Sequence, residues 1–266
     1  MVKYFKITSH DECHHGYQYQ NGLNVLDKPF AEEGSCVPGG LYFTTLEYLH
    51  EFYGYGVWIR EIQIPEDAKM VKDPGGHKWR ADRIILGEKH SLFDVKSIQK
   101  LNLEVDENYV NRASGEGRVE MLEWLKQSKF EMAYSHIAID LASGDGHLNV
   151  LEWWKNSGLE LKYTEEAIDD ASMEGHVKIL EWWKNSGFIL KYTNNAIDYA
   201  SEEGHIKVLK WWKNSGLELK YTRYAIHNDW AAFDGQSGSH PKSLEWWKNS
   251  GLPTRPEWWP STSILE

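Results

Sequence analysis

A pair of adjacent tryptophans recurs at a fixed interval in the C-terminal half of this 266-residue chain. Trp153-Trp154, Trp182-Trp183 and Trp211-Trp212 follow one another at 29 residues, inside nearly the same words: 153–164 and 211–222 both read WWKNSGLELKYT, and 182–193 reads WWKNSGFILKYT. A period of this size predicts a solenoid, in which one unit cannot bury its apolar face alone and must stack on its neighbours. Such a stack offers a broad surface, so binding is the first expectation for more than half of the chain.

One position sets the register. Asp106, Ser135, Thr164, Thr193 and Thr222 are all 29 apart. Each has a short side-chain oxygen that accepts from the free N–H groups of a helix start. Eleven residues on stand Gly117, Gly146, Gly175 and Gly204, residues that tolerate the left-handed closure of a helix. The first helix is therefore about three turns long. Ala138, Ile139 and Ala142, with their counterparts Ala167, Ile168 and Ala171, and Ala196, Ile197 and Ala200, form its apolar face. A second helix, carrying Val177, Ile179, Leu180, Trp182 and Trp183 in one copy, ends at Gly187. Adjacent tryptophans point about 100° apart on a helix, so one fills the interior and the other covers the seam to the next unit. Their invariance across copies places the pairs in the core rather than on an aromatic platform for bases or sugars. His147, His176 and His205 recur too far apart to share a metal, and each is placed to tie down nearby backbone.

Helix, tight turn, helix and short return resemble the ankyrin repeat. The pattern A-I-x-x-A-S-x-x-G-H-x-x-x-L-E-W-W-x-x-S-G follows the ankyrin order of alanine pair, Gly-His, apolar helix and closing Gly. The Thr-Pro-Leu-His word of that family is absent, the capping Thr lies two residues further upstream, and the period falls short of the usual value of about 33. Gly187 to Thr193 leaves six residues, so the projecting hairpin is expected to be reduced or missing. The ends depart from the pattern. The first copy has Arg118 for the His and Trp124-Leu125 for the Trp pair; the last breaks off at Trp230-Ala231-Ala232-Phe233 and regains Trp246-Trp247 after an insertion of six. The segment 234–241 reads as a surface loop and Pro253 to Pro260 as a capping tail.

Positions that vary between copies are expected to bind. The outer side of the first helix, which lines the concave surface in ankyrin stacks, carries Asp140, Asp169, Asp170, Glu174, Asp198, Tyr199, Glu202 and Tyr224. The expected partner is a protein or peptide with a basic contact surface. A net charge of −11 argues against a nucleic-acid footprint.

Residues 1–103 lack the repeat and read as a compact α+β domain, with 104–266 as the repeat domain and its C-terminal cap. Tyr4–Ile7 and Val57–Ile64 read as strands, Gly22-Leu23-Asn24 as a turn, Gly39-Gly40 as a turn feeding a strand, and Thr45 as the cap of a short helix with Leu46, Leu49 and Phe52 inward. A further helix is expected within 91–103. HHGYQYQNGLN (14–24), CVPGGLYFT (36–44), IREIQIPEDAKMVKD (59–73) and KWRADRIILGEK (78–89) resemble the N-terminal domain of ankyrin-repeat proteins from amoeba-infecting giant viruses of the mimivirus kind. The resemblance implies architecture and a cytoplasmic setting in an infected host, with no mechanism attached.

Two chemical alternatives arise in this domain. His15-Gly16, Gly39 to Phe43 and a later Glu61 resemble ADP-ribosyltransferases, which implies His15 and Tyr42 gripping a nicotinamide nucleotide and Glu61 orienting the acceptor. His10, Cys13, His14, His15 and Cys36 are suitable metal ligands, but their spacing matches no regular zinc pattern, so no metal and no cofactor is expected. Two cysteines make no disulfide framework, the opening MVKYFKITSHDE is too polar for a signal peptide, and no apolar run reaches the length of a membrane span.

Overall fold

The computed structural model describes residues 2–128, 130–226 and 240–253. The chain divides into two compact units, Met1–Ala113 with Glu120–Tyr134, and Ser114–Val119 with Ser135–Glu266. By contacts, most of the first repeat-like helix pair falls in the first unit, although the periodicity already covers it.

The first unit is built on strands β1 (Tyr4–Thr8), β4 (Gly22–Val25), β5 (Leu41–Thr45), β6 (Trp58–Gln63), β7 (Met70–Lys72), β8 (Lys78–Ala81) and β9 (Arg83–Ser91). They form one antiparallel sheet in the order β4-β9-β6-β1-β5-β8-β7, and β2 (Cys13–His14) pairs with β3 (Tyr17–Gln18) in a separate hairpin. Strand β1 is central, and its residues Phe5 to Thr8 are buried on both sides of the sheet. Tyr19, Leu41, Phe43, Ile62, Ala81, Ile84 and Leu86 form an apolar cluster of this unit.

Two local expectations are corrected here. Leu23 and Asn24 are strand residues, paired with Ile85 and Ile84; only Gly22, at φ 80°, has turn geometry. The Asn24 side chain accepts from Gln20 N at 2.9 Å and donates to the carbonyls of Gln20 and Gly22, so it braces the bend from inside the strand. Thr45 does not cap the following 3-10 stretch, Leu46–Tyr55, with its side chain. It is the last residue of β5, opposite Tyr4, and ladder pairing fixes its direction. Leu49 and Tyr53 are the buried residues of that stretch, with Phe52 half-buried. The helix expected within 91–103 is α1 (Val95–Leu101), closed by Asn102 in the left-handed region at φ 50°.

Beyond α2 (Glu107–Gly115) and α3 (Val119–Gln127), helices come in pairs: α4 (Ile137–Gly144) with α5 (Leu148–Asn156), α6 (Glu166–Met173) with α7 (Val177–Asn185), and α8 (Asn195–Glu202) with α9 (Ile206–Asn214). A last helix, α10, spans Pro241–Ser250. The capping expectation holds at Asp106 and the three threonines: Asp106 Oδ1 accepts from Tyr109 N at 2.8 Å, and Thr164, Thr193 and Thr222 Oγ1 accept from the N–H two residues on, at 3.2, 3.1 and 3.2 Å, Thr222 opening a 3-10 turn at Arg223–Ala225. The alanine pairs of α4, α6 and α8 are buried, as are Ile139, Ile168 and Ile197 beside them. Among the described residues of the second unit there is no strand, and the returns between pairs are bends and irregular coil.

Both indoles of a pair reach back one unit. The second is fully buried and donates from Nε1 to a serine of an earlier first helix: Trp154 to Ser114 (2.6 Å), Trp183 to Ser143 (2.8 Å), Trp212 to Ser172 (3.1 Å) and Trp247 to Ser201 (2.8 Å). The first indole lies nearer the surface and donates to a glutamate of the preceding second helix, Trp182 to Glu152 at 2.8 Å and Trp211 to Glu181 at 2.7 Å. Core and seam roles thus divide as the helical geometry requires.

The histidines act on the glycines. Gly117, Gly146, Gly175 and Gly204 all have φ between 72° and 81°, and a Cβ added to any of them would come within 2.9 Å of an imidazole ring, that of His147, His176, His205 and His240 respectively. The turn glycine is thus required twice, by its backbone and by the ring of the next unit. His240 takes the place of His205 one unit on, shifted by the same six residues as the tryptophan pair, and Pro241 opens α10. The expected surface loop therefore stops short of these two residues. Its remainder, 234–239, the segment Trp230 to Phe233 and the tail from Thr254 lie outside the described residues.

Candidate functional site

The first helices of the repeat unit bear the acidic residues expected to bind a partner, and the structure separates them into two sets. Asp140, Asp169 and Asp198 are buried, at 3, 5 and 4% exposure, so their expected solvent-side place is corrected. Each carboxylate holds the capping threonine 24 residues on, by its backbone N–H and its hydroxyl together. Asp140 accepts from Thr164 N at 2.9 Å and Oγ1 at 2.7 Å, and Asp198 from Thr222 N at 2.8 Å and Oγ1 at 2.6 Å; Asp169 holds Thr193 in the same way. Burial pushes the Asp140 and Asp169 carboxyls above the usual carboxylate range, against the threonine bonds that pull them down. A carboxylate taken out of water is retained only with such partners.

The second set does face out. Tyr199 and Tyr224 are each 41% exposed, Glu174 is exposed, and Asp170 and Glu202 are half-buried. Asp170 rests on α4, where a Cβ added to Gly144 would stand 3.1 Å from the Asp170 Cβ. Its carboxyl is pushed up to about 6, first by burial and then by the negative charges of Glu166, Asp169, Asp140 and Glu174. Burial and the surrounding carboxylates thus both disfavour the charged form of Asp170.

The sheet unit holds a cavity of about 520 Å³ whose walls include His14, His15, Tyr17, Tyr19, Tyr42 and Tyr55. It brings together two of the three residues of the transferase-like reading, His15 and Tyr42. Glu61 does not line it. On β6 it stands opposite Phe5, one residue out of phase with Arg60 opposite Lys6, and so belongs to the other face of the sheet. Its carboxylate pairs with Lys3 at 3.3 Å near the surface. The acid that a glycosyl-transfer chemistry would need is absent from the cavity wall at that position.

Among the described residues, no group of three or more His, Cys, Asp and Glu is placed to hold a metal. Cys13 and Cys36 are free thiols: Cys13 Sγ is half-buried in β2, whereas Cys36 is exposed and accepts from Lys78 Nζ at 2.9 Å. That hydrogen bond, first, holds the Cys36 thiol below its usual range. No described helix is long and apolar enough to cross a membrane.

Similarity to known proteins agrees with the helix pairs. No family model matches the chain. A protein of Acanthamoeba polyphaga mimivirus, "Putative ankyrin repeat protein R868", is 41% identical over 136 residues, which is 47% of this chain and 67% of that protein. The chain belongs to the ankyrin repeat proteins of mimivirus type. Two mimivirus proteins of the same printed designation, R896 and R229, are 37% and 39% identical over 47% and 41% of this chain, and over 40% of their own lengths. The resemblance read from the sequence across nearly the whole chain is thus matched over about half of it in each of these relatives. For an ankyrin repeat protein of this type, the functional candidates are the outward first-helix residues and the sheet-unit cavity.

Proposed function

We propose that this protein is a protein-interaction module that receives a basic protein or peptide segment on the outward face of its first helices. The contact set is Asp170, Glu174, Tyr199, Glu202 and Tyr224, with Asp140, Asp169 and Asp198 supplying negative field from beneath. In this reading the array comprises about five 29-residue units from residue 104 onward, carried by a separate domain up to residue 103, and acts in the cytoplasm of an infected host. The outward placement of Asp170, Glu174, Tyr199, Glu202 and Tyr224 supports the reading, and a bound lysine or arginine would offset the repulsion from carboxylate charges that, after burial, raises Asp170. The exposed Tyr199 and Tyr224, on the following copies, add flat contact area of the kind interfaces favour. Nucleic acid is not the expected partner, since its phosphates would meet the same repulsion.

The test is a fluorescent lysine- and arginine-rich peptide titrated into the full chain by anisotropy, at low and high salt. Binding that weakens with salt and is lost in Asp170→Lys/Glu174→Lys supports the reading. Equal binding by the reversed variant and the parent would refute it.

A further inference from the structure

A lysine sits where a strand of this kind should carry an apolar residue. Strand β1 is the middle strand of seven and is covered on both faces, the situation in which strands read as continuous apolar runs. Lys6 is nonetheless there, 5% exposed, and its side chain lines the 520 Å³ cavity. Nζ donates to Tyr42 O at 2.9 Å and lies 4.3 Å from the centroid of the Tyr19 ring. Those two contacts leave an ammonium with three donors short of partners, and no carboxylate stands within ion-pair distance of it among the described residues. The acid of the cavity wall, Asp27, stands 3.9 Å from Lys28.

The walls around this cation are of two kinds. Tyr17, Tyr19, Phe52, Tyr55 and the imidazole of His14 give flat aromatic surface; Lys28 and Lys78 add positive charge against a single acid, Asp27. The size is within the range of small-molecule sites, about 300–1,000 Å³. We propose that this cavity binds a small aromatic anion, a ring compound carrying a carboxylate or phosphate, whose charged group pairs with Lys6 Nζ. The ring lies against the tyrosines and the anion replaces the counter-charge that the fold withholds. Burial alone holds the Lys6 amine down to about 7, and burial followed by the Lys6 charge holds the His14 imidazole down to about 4, so a bound anion would restore the lysine's proton beside a neutral imidazole. Charge-assisted bonds of this type discriminate charged from uncharged ligands of the same shape. The site is independent of the repeat surface and stands or falls apart from it.

The experiment is calorimetric titration of the full chain with 2-naphthoate, adenosine monophosphate and the uncharged isostere 2-naphthalenemethanol. The expected result is one-to-one binding of at least one anion, weakened about tenfold or more in Lys6→Met and by replacing the anion with the alcohol. Naphthoate alone binding assigns a carboxylate ligand, and the monophosphate alone a phosphate ligand. Neither anion saturating, the alcohol binding as well as the anions, or unchanged affinity in Lys6→Met overturns the proposal. Tyr55→Ala, at an exposed wall position, serves if Lys6→Met does not fold, and is expected to weaken the anion that binds; unchanged affinity there counts against the site. In the unmodified protein, the NMR titration midpoint of the Lys6 side chain is expected to move up when that anion is added, and an unmoved midpoint overturns the assignment.

Discussion

The Asp140 carboxylate accepts both the backbone N–H and the hydroxyl of Thr164, at 2.9 and 2.7 Å, and the same hydroxyl accepts from Glu166 N at 3.2 Å. One threonine thus starts its own helix and fastens it to the previous one. Thr164→Val keeps the shape but strips a donor from a buried carboxylate and a cap from α6; it is expected to cost about 2 kcal/mol in chemical denaturation, with Thr164→Ser near parental stability. Equal stability of the valine and serine variants would show that the tie contributes nothing. Asp169→Lys is expected to unfold the array rather than report on partner binding, so charge reversal must be made at Asp170 and Glu174.

Gly146 has φ 77°, and a Cβ there would stand 2.8 Å from the His176 ring. Gly146→Ala is expected to cost more than the ~1 kcal/mol of a left-handed alanine, because the ring must move as well. Adding His176→Ala should return part of that loss, so the two changes are sub-additive in a double-mutant cycle. Strict additivity of the melting free energies would remove the steric account.

Asp170 supplies a pH test. Its carboxyl is raised from 3.8 to about 6, so the folded state binds its proton more tightly than the unfolded chain does. The associated stability is full below about pH 4 and is lost as pH rises through about 6. Asp170→Asn should therefore melt higher than the parent at neutral pH, by about 1 kcal/mol after solvent screening, and match it in acid. A variant less stable than the parent at neutral pH would mean that the carboxylate has a compensating cation.

Lys6 has the opposite sign. Its amine is lowered from 10.5 to about 7, so the cost of burying the ammonium is full below about pH 7 and relieved as pH rises toward the unfolded value. Lys6→Met is expected to raise the melting temperature at about pH 6 and to lose that advantage at about pH 10. Thermal melts at the two values decide it.

The repeat was legible because its signals are local and redundant: an oxygen-bearing cap, a turn glycine and an indole pair return at one interval. The inward aspartates were misread for a physical reason, since an isolated carboxylate on a helix defaults to solvent. The signal that would have placed them was present. In the three central copies Asp140, Asp169 and Asp198 are as invariant as the tryptophan pair, whereas the next positions change from Leu141 to Asp170 to Tyr199. Lys6 left no such trace. Within YFKIT it is one polar residue of a strand, and only the order β6-β1-β5 shows that the strand is central. Glu61 failed for parity: the face it takes depends on a pairing register that the sequence does not display.

The ties between successive helix pairs are the same from copy to copy: Asp to Thr, Trp to Ser, imidazole over Gly. His240 and Trp247 repeat the last two after a six-residue shift. A DNA segment encoding one such pair could be duplicated or deleted by unequal crossing-over, and each newly adjoining copy would already present the matching half of every contact. Array length is thus open to rapid genetic change at little folding cost, while the outward residues diverge copy by copy.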